Sequence, residues 1–174
     1  MRGHSDTEPS PKATRPGMRD YGIRREEEGM LPWAWVSERM TASRNYWIST
    51  TRPDGKPHAA PVWGVWVDET LYFGTSPNSR KARNLAHNPD VVVHLESGDE
   101  AVIMEGVAEE LTAPDPSLSR RIVDTYAAKY VDPESGDEFR LGSAEGLKAV
   151  SPGVVFAWLE NDFPRTATRW VFEP

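Results

Sequence analysis

The chain contains no cysteine, which excludes disulfides, thiolate nucleophiles and zinc–thiolate centres. It has no apolar run approaching the roughly 18 residues of a membrane span. Its first residues lack the apolar segment of a secretory signal. These absences predict a soluble, cytoplasmic protein with no membrane partner. Positive charge is also scarce: 20 Lys and Arg against 27 Asp and Glu give a formal net charge of −7. That balance, with no basic stripe, argues against nucleic acid and against an oligonucleotide-binding barrel. His58, His87 and His94 show no metal-ligand spacing, so no metal is expected. No P-loop or nucleophile elbow is present, nothing points to a Ser/His/Asp triad, and Glu105 has no carboxylate partner in its strand. No internal repeat is visible.

What the chain does have is 38% hydrophobic residues and seven tryptophans in 174 residues, enough for one domain with a real core. Residues 1–19 are polar and almost free of apolar side chains, which predicts a disordered tail before a single domain over 20–174. The first 17 residues are expected to be dispensable. A helix is predicted over Leu31–Met40, with Pro32 near its first position. Strands are predicted over Tyr46–Thr51, Lys56–Val67 and Leu71–Phe73, then over Val91–Glu96 and Ala101–Glu110. A helix follows over Pro116–Tyr130, where Tyr126, Lys129 and Tyr130 share one face and read as packing and snorkelling. A polar loop over 131–146 is suited to a flap. Two late strands, Val154–Leu159 and Thr166–Phe172, complete the chain. Short strands joined by tight turns indicate a mainly β fold with flanking helices. The architecture expected is an antiparallel barrel closed by the final strand. Pro57 and Pro61 cannot donate to a ladder, which places their strand at an edge or bulge.

The stretch Leu71–Leu85 reads as strand, turn and helix. Gly74–Asn78 breaks the strand, and Asn78 or Ser79 can cap the helix. Arg80, Lys81 and Arg83 then occupy the positive end of the helix dipole, where cations are disfavoured. A bound phosphate resolves that conflict, held by free backbone N–H groups, the Thr75, Ser76 and Ser79 hydroxyls and the basic side chains. The sheet edge beside this helix start suits a planar ligand. A phosphate site without evident catalytic groups fits a protein whose cofactor carries the chemistry.

Ser49–Leu111 resembles the flavin-binding split barrel of the pyridoxamine 5′-phosphate oxidase superfamily. The residues that carry the likeness are Pro61-Val62-Trp63-Gly64-Val65-Trp66, Tyr72-Phe73-Gly74-Thr75, Ser79-Arg80-Lys81-Ala82 and Glu105-Gly106. The terminal Pro164–Trp170 resembles the tails of actinobacterial members. The resemblance implies a homodimer with two flavin sites at the subunit interface. It assigns Arg80 and Lys81 to a phosphate clamp, with Gly74, Thr75 and Ser79 beside them. Ala60, Pro61 and Val62 would lie along the ring, and Trp158 and Arg169 would reach in from the other subunit. Arg165 and Trp63 are the candidate substrate contacts. Glu100-Ala101 stands where the family has a glutamine, and Ala167 replaces a histidine between Arg165 and Arg169. These departures argue against pyridoxamine phosphate as substrate. Related proteins bind the deazaflavin coenzyme F420 in the same basic groove, so FMN and F420 both stay open. The implied activity is hydride transfer between such a ring and a small, planar substrate, with no catalytic residue identified. The alternative is a binding module that holds the cofactor without turnover.

Overall fold

The computed structural model describes residues 11–173. Nine strands and four helices follow one another as β1 (Lys12–Thr14), α1 (Trp33–Ala42), β2 (Tyr46–Thr51), β3 (Pro57–Val62), β4 (Gly64–Val67), β5 (Thr70–Phe73), α2 (Arg80–His87), β6 (Asp90–His94), β7 (Glu100–Glu110), α3 (Pro116–Lys129), β8 (Lys148–Leu159), α4 (Phe163–Thr166) and β9 (Thr168–Val171). All strand pairings are antiparallel. The sheet runs β1-β9-β8-β7-β6-β2-β3, while β4 pairs with β5 and β5 with β8. β3 and β4 follow one another around a corner at Trp63 with no ladder between them, and the barrel is split there. The final strand does not close the barrel, contrary to the expectation above. β9 pairs with β8 on one side and with β1 on the other. A bulge at Gly153, opposite Glu105-Gly106, bends β8, which passes from β5 to β9 across it.

Period-two burial builds the core. Tyr46, Ile48 and Thr50 of β2 point inward and are buried, while Trp47 and Ser49 point outward. Val93, Met104, Val155 and Trp170 meet the inward set from neighbouring strands. Helices α1 and α3 pack on β4, and α2 packs on β2. A turn at Asp54-Gly55, with Gly55 at φ +78°, joins β2 to β3 as its composition predicts.

The outer sheet face is different. The register places Pro61, Trp47, His94, Ile103, Phe156 and Arg169 in one row across β3, β2, β6, β7, β8 and β9. The next row holds Ser49, Val92, Glu105, Val154 and Val171. This face is largely apolar and open: Val107 is 45% and Val171 36% exposed.

The expected disordered tail needs correction over its second half; residues 1–10 lie outside the described residues. Lys12–Thr14 pairs with Thr168–Val171 as β1. The Arg15 guanidinium donates to the carbonyls of Glu26 (2.9 Å), Glu28 (3.0 Å), Arg165 (2.6 Å) and Ala167 (3.0 Å). The order comes from backbone pairing, one arginine and two small apolar residues, Ala13 packed on the core and Pro16 buried, which a composition scan of a polar tail passes over. The folded unit therefore begins before residue 20. Arg15→Ala is expected to cost ~1.5–3 kcal/mol, the worth of hydrogen bonds to a charged group. At roughly 2–4 °C per kcal/mol, the melting temperature should fall by about 3–12 °C. A melting curve unchanged within a degree would show the tie to be idle.

Candidate functional site

Helix α2 starts as the local chemistry dictates. Ser79 is its N-cap, and its hydroxyl oxygen accepts the Ala82 N–H at 3.0 Å. The same oxygen lies 2.9 Å from the Thr75 hydroxyl. With Ser79 Oγ accepting from the helix and donating to Thr75, the Thr75 proton is free for a ligand. Arg83 leaves the basic trio: its guanidinium donates to the Asn78 carbonyl at 2.6 Å and braces the loop. Arg80 is exposed and makes no ion pair among the described residues. Lys81 is only 9% exposed, with no hydrogen-bond or ionic partner among the described residues. Burial pushes its ammonium below the usual lysine range. A buried cation without a counter-charge is costly, and an anion at this helix start would supply a partner. Asn84, one turn on, donates to Thr50 Oγ1 at 2.9 Å and fixes α2 to β2.

The register brings the Ala60–Val62 segment toward this loop. Gly64 pairs with Phe73, so Trp63 and Gly74 follow paired strand ends. A Cβ at Gly74 would meet only Leu147, at 3.6 Å, and the loop lies open otherwise. β3 pairs only with β2 in the sheet path and keeps one row of backbone groups outside the ladder. Pro61 is outward and exposed, Ala60 half-buried, and Val62 buried.

Trp63 stacks on Tyr130 (4.5 Å, 10°), meets Phe139 edge-on at 5.2 Å and has the Arg44 guanidinium 5.3 Å from its ring. Arg44 has no carboxylate partner among the described residues. Tyr130 Oη accepts the Gly64 N–H at 2.8 Å and lies 2.7 Å from the Arg44 carbonyl. Lys129 Nζ donates to Tyr46 Oη (2.7 Å) and to the Gly64 carbonyl (3.2 Å). The Trp63 corner is thus clamped by the last turn of α3, and the 131–146 loop rests on it through Phe139. Lys129 and Tyr130 therefore do more than pack. Their polar contacts with residues 44, 46 and 64 leave no local pattern in the sequence.

The remaining candidates lie elsewhere. Arg169 and Trp158 stand on the outer face, away from α2. Trp158 is half-buried, edge-on to Phe163 at 5.5 Å. Arg165 is drawn to Asp162 at 2.6 Å, and its side chain packs over Gly29. The single chain does not bring it together with Trp63. No cluster of His, Asp and Glu suited to a metal exists among the described residues. No helix there is long and apolar enough to cross a membrane.

Burial lowers the Lys129 ammonium to about 8 and raises Tyr130 to about 12; Tyr46 is raised further. A lysine whose folded pKa lies below its unfolded one penalises the fold while charged. The penalty is relieved as pH rises from about 8 toward 10.5. Above pH ~10 the buried tyrosines resist ionisation and stability falls again. Stability should therefore peak at pH ~10, with a gain of ~1–2 kcal/mol from pH 8 after screening of the partly exposed ammonium. In Lys129→Met the rise should vanish in pH-resolved denaturant melts. A rise that persists in the variant would assign it to another group.

The family model described as pyridoxamine 5′-phosphate oxidase matches residues 34–150, about two thirds of the chain. Similar solved structures include a conserved hypothetical protein from Mycobacterium tuberculosis, 23% identical with a TM-score of 0.59, covering 79% of this chain and 90% of that one. A pyridoxamine 5′-phosphate oxidase-related, FMN-binding protein from Nostoc punctiforme is 15% identical with a TM-score of 0.53, covering 83% and 98%. A FAD-binding protein from Mesorhizobium loti is 20% identical with a TM-score of 0.53, covering 82% and 96%. No curated protein matches the chain.

Proposed function

The chain belongs to the pyridoxamine 5′-phosphate oxidase family, and from that premise we propose that it is a flavin- or deazaflavin-dependent oxidoreductase. Hydride would pass between FMN or coenzyme F420 and a small, planar substrate. The observation that carries the reading is Lys81, nine-tenths buried at a helix start with no partner among the described residues. Lys81, Arg80 and the Thr75 hydroxyl would hold the phosphate, with Gly74 giving open access and Ser79 ordering the turn. The free edge of β3 at Ala60–Val62 would lie along the ring, and Trp63 would bound the substrate side. The cofactor supplies the two-electron chemistry when bound. The chain's own residues bind, orient and exclude water.

Trp158 and Arg169 stand on the open outer face and would reach a cofactor only from a second subunit. We therefore include a homodimer in the reading. A solvent-exposed apolar sheet of this breadth is uncommon on monomers. Without a charged acid–base pair beside α2, the same site also suits a module that holds the cofactor without turnover. Mass spectrometry and absorption spectra of purified protein test the cofactor, with a band at ~450 nm for flavin or ~420 nm for deazaflavin. Failure to bind either one on titration would overturn the reading. Bound cofactor that no reductant or substrate ever reduces would favour the binding module.

A further inference from the structure

His94 is a polar group that the phosphate site does not use. It stands half-buried on the outer face of β6, in the same register row as Pro61 and Trp47. Its Nδ1 lies 2.9 Å from the Leu95 carbonyl oxygen. A carbonyl only accepts, so Nδ1 carries the proton and Nε2 of the neutral ring has a bare lone pair. Among the described residues nothing donates to that nitrogen. The ring lies parallel to Trp47, with centroids 6.1 Å apart and planes within 1°, which sets its orientation. With Ala101, Ile103 and Trp158 it lines a concavity of about 370 Å³ beside the Ser97-Gly98 turn. The lining is an aromatic wall and an aliphatic floor, with the His94 imidazole on the floor and the Glu96 carboxylate and Ser97 hydroxyl at the turn as its polar groups.

That combination suits the edge of a flat heteroaromatic ring that presents an N–H. We propose that His94 is a specificity-determining contact for the cofactor ring. Its Nε2 accepts a hydrogen bond from the ring's imide N–H, and it enters beside Trp158 from the subunit opposite the one whose α2 holds the phosphate. The inference rests on the cofactor and dimer reading above. It selects ligands with an imide edge, a feature shared by FMN and the deazaflavin, over flat rings that lack one. A single neutral hydrogen bond predicts a roughly three- to tenfold effect on affinity.

The test uses the full chain and a flavin methylated at the imide nitrogen, titrated beside FMN and F420. Wild type should bind FMN or F420 and reject the methylated flavin by about three- to tenfold more than His94→Phe does. The phenylalanine keeps the stack on Trp47 but has no acceptor. His94→Gln, which restores an acceptor oxygen, should recover part of the discrimination. Nitrogen-15 spectra of wild type give a second readout that needs no variant. The Nε2 resonance should move on saturation with cofactor. If wild type binds cofactor but neither discriminates nor shifts that resonance, the His94 contact is wrong and the cofactor reading stands. If wild type binds neither cofactor, both fall together.

Discussion

Replacing Arg80 and Lys81 together by alanine should weaken FMN or F420 binding by about two to four decades while the fold survives. Each side chain is expected to make a charge-assisted hydrogen bond to phosphate worth ~1.5–3 kcal/mol. Two such bonds, if additive, give ~3–6 kcal/mol, which converts to that range of dissociation constants. Neighbours on one phosphate are not independent, and coupling of this kind can halve the sum. The apoprotein should lose little. Both cations oppose the helix dipole, and Lys81 is buried without a counter-charge among the described residues, so its removal relieves a penalty. A solvated basic helix end would predict no change in affinity and at most a few tenths of a kcal/mol in stability. Isothermal titration of both proteins with each cofactor, beside thermal melts, decides between them. Equal affinities in wild type and double variant would remove the clamp and most of the functional reading.

Phe156→Glu should convert the protein from dimer to monomer and abolish cofactor binding at both sites together. Phe156 lies on the outer face between Ile103 and Arg169. In the homodimer proposed above this face meets its own copy, and an isologous contact carries every substitution twice. With Arg169 across the strand committed to the cofactor in this reading, the new carboxylate has no free partner, and such a buried charge costs ~3–5 kcal/mol. Two of them amount to roughly 6–10 kcal/mol, about four to seven decades in the dimer constant. On a monomer the same change would sit in water, with effects within about 0.5 kcal/mol. Sedimentation equilibrium at micromolar concentration should give twice the chain mass for wild type and the chain mass for the variant. A wild type that sediments as a monomer would sink the interface, and a variant that remains dimeric would move it to another face.

Much of the α2 site is legible in the amino-acid sequence. The cap at Ser79 follows from a short polar residue ahead of a periodic helix. The edge position of β3 follows from two prolines that cannot donate to a ladder. Both are local rules, and the structure keeps them. What the sequence hides is non-local. Nothing in Lys12–Thr14 marks a strand, because its order comes from β9 and from carbonyls that Arg15 gathers at residues 26, 28, 165 and 167. The final strand has the composition of a closing strand, yet it pairs with β8 and β1, and composition cannot name a partner. Arg83 is equivalent to Arg80 and Lys81 in sequence, but its guanidinium is spent on the Asn78 carbonyl. His94 gains significance only through Trp47, which β2 places beside it from 47 positions earlier in the chain.

The pairing of β1 with β9 has a consequence for how the protein is made. Thr14 and Arg169 are 155 positions apart, so among the described residues β1 has no strand partner until residues 168–171 have been synthesised. The core strands β2 to β8 can assemble beforehand, whereas the N-terminal segment must wait, exposed, through nearly all of translation. Loop closure over that span is expected to be a late step in folding rather than part of its nucleus. A chain cut between β8 and Arg165 would therefore leave Lys12–Thr14 without its strand and Arg15 without two of its carbonyls.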